Sequence, residues 1–276
     1  MQAEGVSLLE GRVKVSASYA PGDPSREPFL FVHGLAQNET SGRALLRFFR
    51  GRGHPTLSFD WPGHGNSEAY QLEGPTIETL TATLNGVLEH FGISTPLIVG
   101  GHSMGGMIAL QWAIRYPAML KALILISAAD LAPAKGNKVF DLKPMIDKVI
   151  SDSQKIFVRQ AKVDFSSNMS ISEEEIFALG LMHTDRKTLK QFFYAAESHD
   201  VRGELWRVKM PCLVLRGRDD LVVNESMTAE MVNRLSASRA VTVPGGHNWF
   251  LQKPERLLQT LEENYGFLLN ADASQH

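Results

Sequence analysis

Short apolar runs alternate along this chain with longer stretches in which apolar residues recur every three or four positions. Phe29, Leu30, Phe31 and Val32 form an unbroken run, entered through Pro28 and left through His33-Gly34. Such a run reads as a strand buried on both faces. Similar runs at residues 56–60, 97–99, 122–126, 213–215 and 240–243 predict further strands, and the alternation at 13–19 predicts an early antiparallel one. Between them lie helical patterns. Leu45, Leu46, Phe48 and Phe49 mark a short helix at 42–51. Ile77, Leu80, Leu84, Val87 and Phe91 mark a longer one at 76–91, stopped by Gly92. Residues 104–116, 225–235 and 254–269 continue the series. Strand and helix in regular succession predict an α/β fold, a mostly parallel central sheet flanked by helices.

The rhythm breaks once. From about residue 130 to 208 the strand pattern disappears and helices follow one another. Ser172 with Glu175 predicts a capping box, and Asp185 predicts the start of another helix. This block reads as a helical insertion between two strands of one sheet. The expected organisation is a core domain of residues 1–130 and 209–276, carrying a helical cap (lid) of residues 131–208.

Composition narrows the function. With 28 Lys plus Arg against 30 Asp plus Glu, the net charge of −2 lacks the basic field that nucleic acid would need. The 43% hydrophobic and 21% charged content is that of an ordinary globular protein. The first ten residues lack the basic start and apolar core of a signal peptide, and no run reaches transmembrane length. A soluble cytoplasmic protein is the expectation, and self-association into a homo-oligomer is compatible with it. Cys212, the one cysteine, is expected to be a buried apolar filler.

The chemistry concentrates at predicted strand ends. Gly101-His102-Ser103-Met104-Gly105 follows a buried strand and opens a helix, the setting of a Gly-x-Ser-x-Gly nucleophile elbow. The glycines allow a tight turn, and the helix N-terminus aims amides at developing negative charge. A serine nucleophile needs a base oriented by an acid. His247, in Pro244-Gly245-Gly246-His247 after the last predicted strand, is the best placed of nine histidines. For the acid, Asp219 and Asp220 both end the 213–215 strand, and Asp130 stands just past the 122–126 strand; the residues alone leave all three open.

Taken together these segments resemble the α/β-hydrolase superfamily, from about residue 29 to 269. His33-Gly34 resembles its oxyanion loop, and Asp60-Trp61-Pro62-Gly63-His64-Gly65-Asn66-Ser67 its Asp-x-x-Gly-x-Gly-x-Ser segment. Gly217-Arg218-Asp219-Asp220 resembles its Gly-x-x-Asp acid turn, and Gly246-His247 with Pro254-Glu255 its closing motif. The nearest likeness is to serine esterases and acylglycerol-lipase-like members with a helical cap. The resemblance selects Asp220 as the acid, although Leu221 stands where many members have proline, which keeps Asp219 in play. It implies a triad of Ser103, Asp220 and His247, with the backbone amides of Leu35 and Met104 as oxyanion donors. It implies no metal and no organic cofactor.

The expected substrate is a small-to-medium hydrophobic ester. Phe140, Phe157, Phe177 and Phe193 of the insertion, with Trp249, are the candidate substrate-binding side chains. Carbon–carbon bond hydrolysis, or a perhydrolase or haloperoxidase-like activity, would use the same triad. A non-catalytic ligand-binding role is the reading from another class. Dehalogenase or epoxide-hydrolase chemistry would need aspartate in place of Ser103.

Overall fold

In a computed structural model, residues 3–8, 13–69, 75–136, 164–166 and 172–270 are described. Eight strands form one sheet in the order β1-β2-β4-β3-β5-β6-β7-β8. They are β1 (Ala3–Leu8), β2 (Val13–Ala20), β3 (Phe29–Val32), β4 (Thr56–Phe59), β5 (Leu97–His102), β6 (Leu120–Ile126), β7 (Cys212–Gly217) and β8 (Ser238–Val243). The pairs β1–β2 and β2–β4 are antiparallel, and every later pair is parallel.

The parallel centre explains the apolar runs. Every residue of β3, β4 and β5 is buried, because helices cover both faces. On one face pack α2 (Ile77–His90) and α3 (Met104–Arg115), through Leu80, Leu84, Ile108 and Trp112. On the other pack α1 (Arg43–Arg50) and a C-terminal helix, Pro254–Leu269, through Leu45, Phe49, Leu257 and Leu261. Each such side chain contributes about 1.5–3 kcal/mol by leaving water. Cys212 lies in the first of these cores, and burial pushes its thiol up to about 12.

The structure adds one strand and lengthens several. β1 was not expected, because Glu4 and Gly5 interrupt its apolar pattern; pairing of Val6 with Val15 places it at the sheet edge. β7 runs on through Arg216, which is buried because its guanidinium donates to the carbonyls of Gly217 and Arg218.

After β6 the chain leaves the sheet and returns at β7. Its two ends are pinned together: Leu131 bridges Asp200, the Val201 amide donates to Asp130 at 2.9 Å, and the Ala132 amide donates to His199 at 2.9 Å. The described part of this excursion holds a single turn, α4 (Pro133–Gly136), and two longer helices, α5 (Glu173–Met182) and α6 (Arg186–Glu197). Ser172 and Glu175 cap α5 reciprocally, and the Asp185 carboxylate accepts from the Thr188 amide at the start of α6. After β7 come α7 (Glu225–Arg234), then the single turn α8 (Trp249–Gln252), and α9 is the closing helix Pro254–Leu269. Among the described residues no helix is long and apolar enough to cross a membrane.

Candidate active site

The parallel strands end at one edge of the sheet, where ligands bind in open α/β folds. β5 delivers Ser103 there, the loop after β7 delivers Asp220, and the loop after β8 delivers His247.

Ser103 sits between strand and helix with φ 51° and ψ −122°, a region rarely adopted by a residue with a side chain. Holding it there costs about 1–3 kcal/mol, which the surrounding packing must offset. The flanking glycines are required by space. A Cβ on Gly101 would lie 2.7 Å from the Gly105 carbonyl oxygen, and one on Gly105 would overlap the carbonyls of Val32 and His33. The start of α3 is thereby pressed against the end of β3.

His247 Nε2 lies 2.9 Å from Ser103 Oγ. Its Nδ1 lies 3.0 Å from each carboxylate oxygen of Asp220. Asp220 is 4% exposed, and its Oδ1 also accepts the amides of Val222 and Val223 at 2.9 Å each. Burial pushes the Asp220 carboxyl up, but the facing His247 and these donors together hold it below the usual carboxylate value. Burial likewise works against charging His247, yet the Asp220 charge and hydrogen bond raise its pKa above the usual imidazole value, with Glu173 adding to the effect. The pair is arranged to favour carboxylate and imidazolium together.

The other two acid candidates are elsewhere. Asp219 is exposed on the cavity rim, its amide bonded to the Gly245 carbonyl. Asp130 is buried against Arg234, 3.3 Å away. Leu221 is 71% exposed, and the amides that hold Asp220 come from the next two residues, so the missing proline leaves the acid turn intact.

Leu35 and Met104 both border the cavity, and the inter-element backbone hydrogen bonds of the described residues include none donated by either amide. Their loop is held from behind. The Ala36 amide donates to His64 Nε2 at 3.3 Å, the Trp61 amide donates to His33 Nε2 at 2.9 Å, and the Gly34 amide donates to Gln37 Oε1 at 3.1 Å. Burial drives the His64 pKa down to about 3, so its Nε2 keeps the lone pair that this bond needs. Ala36 itself takes φ 60°, in the turn that the Gln37 amide closes on the Gly34 carbonyl at 3.3 Å.

Ser103 and His247 open into a cavity of about 290 Å³. Leu35, Met104, Met107, Ile176, Phe177 and Phe193 give it an apolar wall, with Glu173, Glu197 and Asp219 as the ionisable groups beside His247 and His102. Phe177 and Phe193 both line this cavity. Trp249 does not. It is 0% exposed and packs in the core beneath the helices, because the α8 turn that follows His247 points it inward over Gly245. Phe140 and Phe157 lie outside the described residues.

Sequence reasoning missed Gln37, His102, Glu173 and Asn248 as parts of the site. Gln37 Nε2 donates to Asn248 Oδ1 at 3.0 Å, and His102 lies 2.9 Å from Gln37 Oε1 and 3.1 Å from the His247 carbonyl. These partners are as much as 211 residues apart, and no local pattern could have joined them.

A strained serine at a strand–helix turn, on a parallel sheet of this order, defines an α/β-hydrolase. Residues 23–247 match the model of the family described as serine aminopeptidase, S33, and the chain belongs to that family and is a hydrolase. It is 26% identical to the AB hydrolase superfamily protein YisY of Bacillus subtilis over 83% of this chain and 88% of that one. It is also 26% identical to a 2-hydroxy-6-oxononadienedioate/2-hydroxy-6-oxononatrienedioate hydrolase of Paraburkholderia phymatum, over 79% of each chain. An esterase structure from Exiguobacterium antarcticum superposes with a TM-score of 0.76 at 21% identity, covering 96% of this chain and all of that one (100%).

Proposed function

We propose that the protein is a serine esterase that cleaves a small-to-medium, uncharged hydrophobic ester through an acyl-enzyme on Ser103. The observation that carries this reading is the 2.9 Å approach of His247 Nε2 to Ser103 Oγ, backed by Asp220 and opening on an apolar cavity. His247 takes the serine proton as Oγ bonds to the acyl carbon. The resulting oxyanion is held by the Leu35 and Met104 amides, each worth about 3 kcal/mol of barrier. The tetrahedral adduct expels the alcohol, which receives its proton from His247. Water, deprotonated by His247, then attacks the acyl-enzyme and releases the acid and free Ser103. This sequence draws on no metal and no organic cofactor.

The cavity's charge bears on the alternative reading, carbon–carbon hydrolysis. The relative from Paraburkholderia phymatum is named for dianionic substrates. The described lining of this cavity contains Glu173, Glu197 and Asp219, and neither lysine nor arginine. Carboxylates so placed repel an anionic substrate. Uncharged esters therefore fit better than dioates.

The reading includes a lid: residues 131–208 form a cap over Ser103, and its apolar side chains select the acyl group. Support comes from Ile176 and Phe177 on α5 and Phe193 on α6, which border the same cavity as Ser103. Each added substrate methylene that is buried is worth about 0.8 kcal/mol, roughly a fourfold rise in kcat/KM, until the pocket is full. With p-nitrophenyl esters of graded length, the wild type should rise in this way to an optimum. Phe177→Ala or Phe193→Ala should move that optimum to longer chains. An unchanged length profile in both variants would place the acyl pocket in the core domain. Faster turnover of a dioate carbon–carbon substrate than of any ester would favour the alternative.

A further inference from the structure

Glu173 is the first residue of α5, yet its side chain lies on the histidine loop. Its carboxylate accepts the Asn248 amide at 3.0 Å to each oxygen and Asn248 Nδ2 at 2.8 Å. It also lies against Gly246, where a Cβ would come within 2.8 Å of Oε1 and 2.9 Å of Cδ. The loop's other side is as tight, since a Cβ on Gly217 would overlap the carbonyl of Gly246. His247 is therefore carried on a strip of backbone held between the end of β7 and the Glu173 carboxylate.

The hold extends past the histidine. Asn248 receives a hydrogen bond from Gln37, and Gln37 receives one from the Gly34 amide in the oxyanion loop. At its other end α5 meets that loop directly: a Cβ on Gly180 would overlap the Ala36 carbonyl oxygen. One helix of the excursion thus touches both the loop that carries His247 and the loop that carries the Leu35 amide.

We propose that Glu173 is a positioning residue through which the seating of α5 on the core sets the reach of His247 to Ser103 and the charge balance of its ring. The proposal rests on the reading of Ser103 and His247 as nucleophile and base. The ring is faced by Asp220 from the loop after β7, by His102 from β5 and by Glu173 from α5; Asp219 and Glu197 border the same cavity. Both Asp220 and Glu173 favour the imidazolium, so removing either charge eases loss of the proton.

The test compares Glu173→Ala and Glu173→Gln with wild type on p-nitrophenyl butyrate. Active sites are counted by fluorophosphonate labelling, and Tm is recorded. Glu173→Ala loses both the acceptors and the charge. Its kcat per labelled site should fall roughly ten- to a hundredfold, as small misplacements of reacting groups do, with KM changed by less than about threefold. Glu173→Gln keeps one acceptor oxygen, so it should retain more of kcat. In both variants the acid limb of kcat/KM against pH should move to lower pH, because His247 loses a neighbour that favoured its protonated form. Three results would overturn the proposal: wild-type kcat and pH profile in both variants, a loss confined to KM, or a loss of Tm and activity with the acid limb unmoved. The last would mark a merely structural contact. If wild-type protein fails to label at Ser103, the underlying nucleophile assignment is wrong and this proposal falls with it.

Discussion

Replacing Ser103 by alanine is expected to lower kcat by roughly four to six orders of magnitude, leaving only what binding and the oxyanion donors supply. The expectation follows from the geometry of the turn. Ser103 is held at φ 51° with its hydroxyl 2.9 Å from the His247 imidazole, whose other nitrogen lies 3.0 Å from Asp220. Alanine removes the atom that forms the acyl bond and leaves its surroundings intact. The neighbouring hydroxyl, Ser127, lies buried at the end of β6 and is not exposed to take its place. The variant should fold with a Tm equal to or above that of wild type, because the strained backbone remains while a polar group is lost. Steady-state kinetics on an activated ester decide the matter; a variant keeping more than about a tenth of wild-type kcat would contradict the role given to Ser103.

Replacing Asp220 by asparagine should cost about four orders of magnitude in kcat, the scale seen when a triad acid is made neutral and the histidine takes the wrong tautomer. Asp220 contacts Nδ1 with both oxygens, so as a carboxylate it forces the proton onto Nδ1 and leaves Nε2 free to receive the serine proton. An amide nitrogen facing Nδ1 would reverse that preference. The same change also removes the charge that raises the His247 pKa, so residual activity should extend to lower pH than in wild type. Asp219→Asn and Asp130→Asn serve as controls, because among the described residues the carboxylate bonded to His247 Nδ1 is that of Asp220. Each should keep kcat within about threefold of wild type, as changes outside the reacting constellation usually do. If either control matches the loss of Asp220→Asn, the acid has been misassigned.

Much of this was legible in the chain, for identifiable reasons. The central strands stood out because a parallel sheet covered on both faces demands unbroken apolar runs, as at Phe29–Val32. Ser103, Asp220 and His247 stood out because each follows such a run within a few residues, and glycine marks the places where backbone must come close. The residues alone left the acid open among three; the resemblance selected Asp220, whose carboxylate lies 3.0 Å from Nδ1 of His247. Trp249 misled because adjacency in sequence says nothing about direction: one helical turn after His247 aims the ring into the core. Glu173 was invisible for a different reason. Its partner is 75 residues away, and on a helix start a glutamate is an ordinary surface residue. Long-range polar contacts leave no periodicity for a pattern to reveal.

The central claim is that Ser103 becomes covalently acylated. Its most direct test is a mass measurement on protein quenched during turnover of a slow ester, followed by digestion and mapping of the modified peptide. The account predicts one acyl group per chain, on the peptide containing Ser103, absent in Ser103→Ala and accumulating far more slowly in His247→Ala. An acyl group mapped to another residue, or turnover with no covalent adduct while Ser103→Ala remains active, would contradict it.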